Sequence, residues 1–303
     1  MQRVTFLKML FWLACATLAA PQAARAQDTA PLISGDELRG PDVPHRRIKY
    51  GRHVDQAIRY SRRPSSQRPP LVILVGDQGW RGEVEHYPMH LLRSALWQQG
   101  YAFAAIDYRT TNRPDLESSL ANIIAALRYL LEQSDELGFD SGRIVLIGNG
   151  PGAYFVTLLG TDPATHLDTR TAAAIKGVVS INGEIFDVRQ RLREVNPFRR
   201  DILTRVFGED AAHQARMSPA RHLAAPNAPA FLFQAVSSNV QLQEQAYQMH
   251  ELLRREGTAA GYAPLVPWRR ELSNSYYGGQ GNLGVHSLLE FLVRTVGPAR
   301  PAG

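Results

Sequence analysis

The residues whose spacing could do chemistry stand together at 148–152, Gly-Asn-Gly-Pro-Gly. They close one apolar run, RIVLIG, and open another, AYFVTLLG, which reads as strand, tight turn and helix. In that setting the five residues have the frame of a GxSxG nucleophile elbow, in which two flanking glycines let a serine sit on a strained turn with its hydroxyl exposed. Here the middle position is Gly150. Glycine has no side chain, so no alkoxide can form there and the usual serine attack is closed to this chain.

Rival chemistries for the same turn are weaker. Gly148, Gly150 and Ala153 also fit GxGxxA, a dinucleotide fingerprint, but that motif belongs after the first strand of a βαβ unit with an acid closing the second. This one falls late, and the next strand, GVVSI, runs into Asn182. The bare turn could still hold an anion on its helix-start N–H groups. Ser237, Ser238 and Asp77 are the other nucleophile or base candidates. Of the nine histidines, His86, His90, His166, His250 and His286 are the candidates for a substitute base, His286 being the best placed, and each reads more simply as a surface or packing residue. No HxH, HExxH or Asp/His cluster suggests a metal, and no cofactor is implied.

The elements that must position these residues alternate. Residues 48–60 suggest a pair of short strands, and 71–75 a continuous apolar strand covered on both faces. Helices are expected at 83–99, 116–132, 153–160, 241–256 and 283–296, and strands at 102–107, 143–148, 177–181, 230–236 and 265–272. That order implies an α/β fold with a doubly wound, mostly parallel sheet. Between 184 and 216 the alternation lapses into a helical, cap-like insertion whose seven arginines read as a solvated face rather than a ligand clamp.

Several stretches in order resemble the α/β-hydrolase fold of the esterase/lipase (carboxylesterase-like) family, over residues 50–296. LVILVGDQGW at 71–80 stands where an HGGGW-type oxyanion loop would be, and IDYR at 106–109 resembles a DYR strand end. GFDSGRIVLIG resembles the approach to the elbow, and SPARHL followed by APAFLF the run into the acid-bearing strand. The resemblance implies a Ser-His-Asp triad with backbone oxyanion donors. At the implied stations this chain has Gly150 for the nucleophile, Ser238 for the acid, and Ser275, Tyr276 or Tyr277 for the histidine, with Tyr276 taken as the station. Gly76, Asp77 and Gln78 replace His-Gly-Gly, leaving Gly79 and Trp80. The chain is therefore expected to be a degenerate member, a non-catalytic binding or interaction protein. The alternative is a carboxylic-ester hydrolase with relocated catalytic residues.

In either case ligands should enter at the carboxyl ends of the strands. The expected lining is Gly79, Trp80, Asn149, Gly150, Pro151, Ser238, Tyr276 and Tyr277, for a small acyl or aromatic ligand, with the insertion as a possible protein-docking surface.

Composition bounds the rest. The 303 residues, 44% hydrophobic and 20% charged, suit one sizeable domain, expected at 46–298 after a loose arm at 27–45. The first 26 residues have a charged start, a short apolar run and an Ala-Arg-Ala ending, a bacterial signal peptide to be cleaved before Gln27. The apolar run is short of the about 20 residues that span a bilayer, so no stable membrane span is expected after cleavage. Cys15, the only cysteine, sits in a poor lipid-attachment box, because Trp12 occupies a place that wants Leu or Val. The mature, periplasmic or secreted protein would then have no thiol. Removing Arg3, Lys8 and Arg25 lowers the net charge from +6 to +3, too mild to argue for nucleic acid.

Overall fold

The computed structural model describes residues 43–65, 67–76, 89–108, 115–224, 226–265 and 283–299. They form one eight-stranded sheet flanked by helices. In chain order the strands are β1 (Arg46–Lys49), β2 (Ala57–Ser61), β3 (Pro70–Val75), β4 (Ala102–Asp107), β5 (Asp140–Asn149), β6 (Ile175–Ile181), β7 (Ala230–Val236) and β8 (Ala259–Leu265). Their order across the sheet is β1-β2-β4-β3-β5-β6-β7-β8. The β1–β2 and β2–β4 pairs are antiparallel and all the others parallel, giving the expected mostly parallel, doubly wound sheet.

Both faces are covered, and this is why the central strands are apolar without a break. In β3, Leu71, Ile73 and Val75 join one core while Val72 and Leu74 join the other. The first core is roofed by α2 (Leu116–Glu132), α4 (Pro151–Thr161) and α10 (Val240–Arg255), the second by α1 (Met89–Gln98) and α11 (Leu283–Val296). Short helices α3 (Ser134–Leu137), α5 (Pro163–His166) and α6 (Thr169–Ala174) turn the chain between layers. Many of these starts are fixed locally. Asp115 accepts from the Ser118 N–H at 2.9 Å to begin α2, and Asp168 from the Thr171 N–H at 2.9 Å to begin α6.

The insertion consists of α7 (Val188–Glu194), α8 (Pro197–Phe207) and α9 (Ala211–Arg216). Its arginines are not all a solvated face, which corrects that part of the expectation. Arg191 is only 6% exposed and donates to Glu184 Oε2 at 2.7 Å, while Arg199 bonds the other oxygen of the same carboxylate. Arg200 donates from Nε to the Leu192 carbonyl at 2.7 Å, tying α8 to the end of α7. The guanidinium forks staple the insertion to itself.

Two further boundaries differ. The last strand among the described residues runs over 259–265 and meets the expected 265–272 only at Leu265, pairing Ala230 with Ala259 through Val236 with Leu265. It lies at the sheet edge, where Gly261 and Pro264 are tolerated because only one neighbour is paired. Residues 266–272 fall outside the described residues, as do 83–88 of the expected helix that begins α1. The arm is not loose to its end, since Val43 is buried. Among the described residues no helix is long and apolar enough to cross a membrane.

Candidate functional site

The glycine cluster forms the junction from β5 to α4, with Gly150 alone between strand and helix. Gly150 has φ 53° and ψ −118°, a conformation that an L-residue adopts only under strain. Its N–H donates to the Ile181 carbonyl at 2.9 Å, pinning the turn to β6. The flanking glycines answer to packing instead. A Cβ on Gly148 would sit 2.2 Å from the Gly152 carbonyl oxygen, and one on Gly152 would sit 2.2 Å from that of Val75. Helix α4 is thus pressed against the ends of β5 and β3 as closely as backbone can approach. It is buried along its whole length, Tyr154 donating from its hydroxyl to the Met217 carbonyl at 2.9 Å and meeting Phe207 edge-on.

The next strand ends in a residue that sequence reasoning passed over. Asn182, after β6, has φ 52° and is the one non-glycine residue with positive φ among the described residues. Its Oδ1 accepts the Val236 N–H at 2.9 Å, which fixes the amide's orientation and leaves Nδ2 facing Asn149 Oδ1 at 3.4 Å. Its own N–H donates to the Gln234 carbonyl at 2.8 Å. The carboxyl ends of β5, β6 and β7 are therefore locked together by two asparagines. The available signal was the residue type, because Asn enters the left-handed region more readily than other side chains.

Of the expected lining, Asn149, Gly150 and Pro151 lie together at this junction, Asn149 and Pro151 buried. Ser238 lies in the exposed turn after β7, beside Asn239, which caps α10 by accepting the Leu242 N–H at 3.1 Å. Gly79, Trp80, Tyr276 and Tyr277 are outside the described residues, as are Asp77 and His86. The side chain of His90 is outside them too.

The other histidines are placed where each has a structural occupation. His286 is 71% exposed and pairs with Glu290 at 3.1 Å, one helical turn on. His250 is buried against Tyr247 and Tyr262 on the far side of β8, and burial lowers its pKa. His166 lies beyond the opposite end of α4, where it and His222 approach the same oxygen of Asp162 at 3.7 and 3.5 Å. Among the described residues no histidine ring is hydrogen-bonded to a hydroxyl, and no three His, Cys, Asp or Glu side chains are grouped to hold a metal ion. The arrangement can present a turn of backbone and a bound ligand to each other; it offers no described nucleophile–base pair.

Comparison with known proteins agrees with this architecture. The family model described as BD-FAE matches residues 59–253, well over half of the chain. No curated protein sequence matches. Among solved structures the chain is similar to a hyperthermophilic esterase from the archaeon Pyrobaculum calidifontis, with 15% identity and a TM-score of 0.66 over 86% of this chain and 87% of that one. It is similar also to esterase B from Lactobacillus rhamnosis, with 16% identity and a TM-score of 0.67 over 84% and 85%. A thermophilic esterase, Est2, from Thermogutta terrifontis gives 18% identity and 0.66 over 87% and 97%. At such identities the likeness is one of fold.

Proposed function

The chain belongs to the BD-FAE family, within the esterase/lipase group of α/β-hydrolase folds, and on that premise we propose that it is a non-catalytic member that binds a small acyl or aromatic ligand at the carboxyl ends of its strands. One observation carries the reading. The backbone at Gly150 has the strained dihedrals that present a nucleophile, φ 53° and ψ −118°, between two glycines that packing requires, yet the residue at the apex has no side chain. The implied acid and base stations hold Ser238 and Tyr276, which carry neither the charge of a carboxylate nor the near-neutral basicity of an imidazole. We propose also that the chain is exported, with cleavage after Ala26, on the strength of its charged start, apolar run and Ala-Arg-Ala ending. The mass of the mature protein recovered from the producing cell would then begin at Gln27.

The test is hydrolysis of short p-nitrophenyl esters by the purified protein, beside Gly150→Ser and a triple variant carrying Gly150→Ser, Ser238→Asp and Tyr276→His. No turnover by the parent is expected. Turnover by the parent that survives rigorous purification and disappears in Ser238→Ala or His286→Ala would mean that the chemistry had moved, and the non-catalytic reading would be wrong.

A further inference from the structure

A cavity lies at the end of the sheet opposite Gly150, where the parallel strands begin. It is a cavity of about 130 Å³, lined by Arg63, Arg68 and Arg143 together with Ser65, Gly100 and Ala299, and no acidic side chain lines it. In the same measure a water needs about 10–15 Å³, so the space takes several oxygen-sized groups. Three arginines from two segments line it. Arg63 and Arg68 come from the link between β2 and β3, and Arg143 from the first half of β5.

The three differ in how they are held. Arg143 is fixed by three hydrogen bonds: Nε to Asp140 Oδ2 at 2.6 Å, Nη1 to the Val296 carbonyl at 3.2 Å and Nη2 to the Arg68 carbonyl at 3.1 Å. Those bonds leave two of its five N–H groups for another acceptor. Arg68 reaches Asp135 at 2.6 Å, but that carboxylate is 84% exposed, so the pair is screened and easily exchanged. Arg63 makes no side-chain hydrogen bond or ion pair among the described residues. Burial would raise the Asp140 carboxyl, but hydrogen bonds from Arg143 and the Gly142 N–H, with the charges of Arg143 and Arg68 behind them, hold it below its usual range.

We propose that this pocket binds a tetrahedral oxyanion, the phosphate or sulfate group either free or as the head of a monoester. Guanidinium forks match that geometry with paired N–H donors, and a rigid Arg143 beside two movable arginines supplies one fixed jaw and two that close. The site is independent of Gly150 and would serve as a second ligand station on a fold whose other end holds the elbow.

The probe is inorganic phosphate, titrated into the purified protein by calorimetry at constant ionic strength in chloride, with sulfate and glycerol phosphate as parallel arms. Saturable binding of phosphate is expected, with a matching rise in unfolding temperature. Arg63→Gln should weaken it about tenfold or more, by loss of charge-assisted bonds, while leaving the unfolding temperature in phosphate-free buffer unchanged. Tighter binding of the monoester would identify an esterified headgroup as the ligand, and equal or weaker binding the free ion. No saturable response to any of the three anions overturns the proposal. So does binding that is unchanged in the Arg63→Gln, Arg68→Gln double variant.

Discussion

Replacing the three elbow glycines one at a time by alanine separates backbone strain from packing. At Gly150 the question is conformational: φ 53° with ψ −118° costs an L-residue about 1–3 kcal/mol. The reduced freedom of the unfolded chain returns about 0.4–1 kcal/mol of that. Gly150→Ala should therefore destabilise by about 1–2 kcal/mol, and at about 2–4 °C per kcal/mol for a domain of this size the melt should fall by a few degrees. At Gly148 the added Cβ would lie 2.2 Å from the Gly152 carbonyl oxygen, 2.3 Å from its carbon and 2.5 Å from the Ala153 nitrogen. These are backbone atoms that cannot swing aside, so α4 must lift from β5. A loss of about 4 kcal/mol or more is expected there, in the range reserved for changes that a core cannot absorb. Gly152→Ala meets the Val75 carbonyl oxygen at the same 2.2 Å and should behave likewise. Thermal and urea melts of the three variants read the order directly. Equal losses at 148 and 150, or a Gly148→Ala protein as stable as the parent, would refute the division of labour drawn here.

Two further predictions concern charge. Glu184→Ala takes from the buried Arg191 guanidinium its nearer carboxylate, leaving Glu194 at 3.9 Å, and should destabilise the protein by about 3 kcal/mol, the low end for breaking a buried pair, exposing the insertion to limited proteolysis; adding Arg191→Met should recover part of the loss, and no loss from Glu184→Ala would show that the pair is dispensable. Burial lowers the pKa of His166 and of His250 from the ordinary 6.5. The unfolded chain then binds protons that the folded one does not, so stability is held above 6.5 and lost as the pH falls below it. Urea melts between pH 7.5 and pH 5, at about half-unit steps, should show that slope reduced in His166→Asn, and an unchanged slope in the variant would assign it elsewhere.

The sheet was legible because its central strands are covered on both faces and therefore unbroken apolar runs, as at 71–75, and because α2, β4, β7 and α11 begin and end at clear changes of pattern. Strand β8 was not, for the converse reason. An edge strand answers to one neighbour, so Ala-Ala-Gly-Tyr-Ala-Pro suffices there, small residues with a proline that carry no strand pattern of their own. Arg191 was misjudged because its burial depends on Glu184, seven residues back, folding over it. Asn182 was missed because its work is done across strands, in bonds to Val236 and Asn149 that no local pattern announces.

The same distinction governs how far the elbow can be trusted as a sign of function. Gly148 and Gly152 are required by the approach of α4 to β5 and β3, whatever the protein does, so a GxxxG frame at the end of a buried strand reports helix-on-sheet packing. The dihedrals of the middle residue follow from that packing too, since strand and helix leave the chain a single residue in which to turn. At the apex the fold's demand falls on the backbone, which is strained, so it is in the side chain there that chemistry would leave its mark. Glycine at that position is the choice that relieves the strain and offers no nucleophile. The motif is therefore strong evidence for the architecture, and the evidence for function rests on one residue, Gly150.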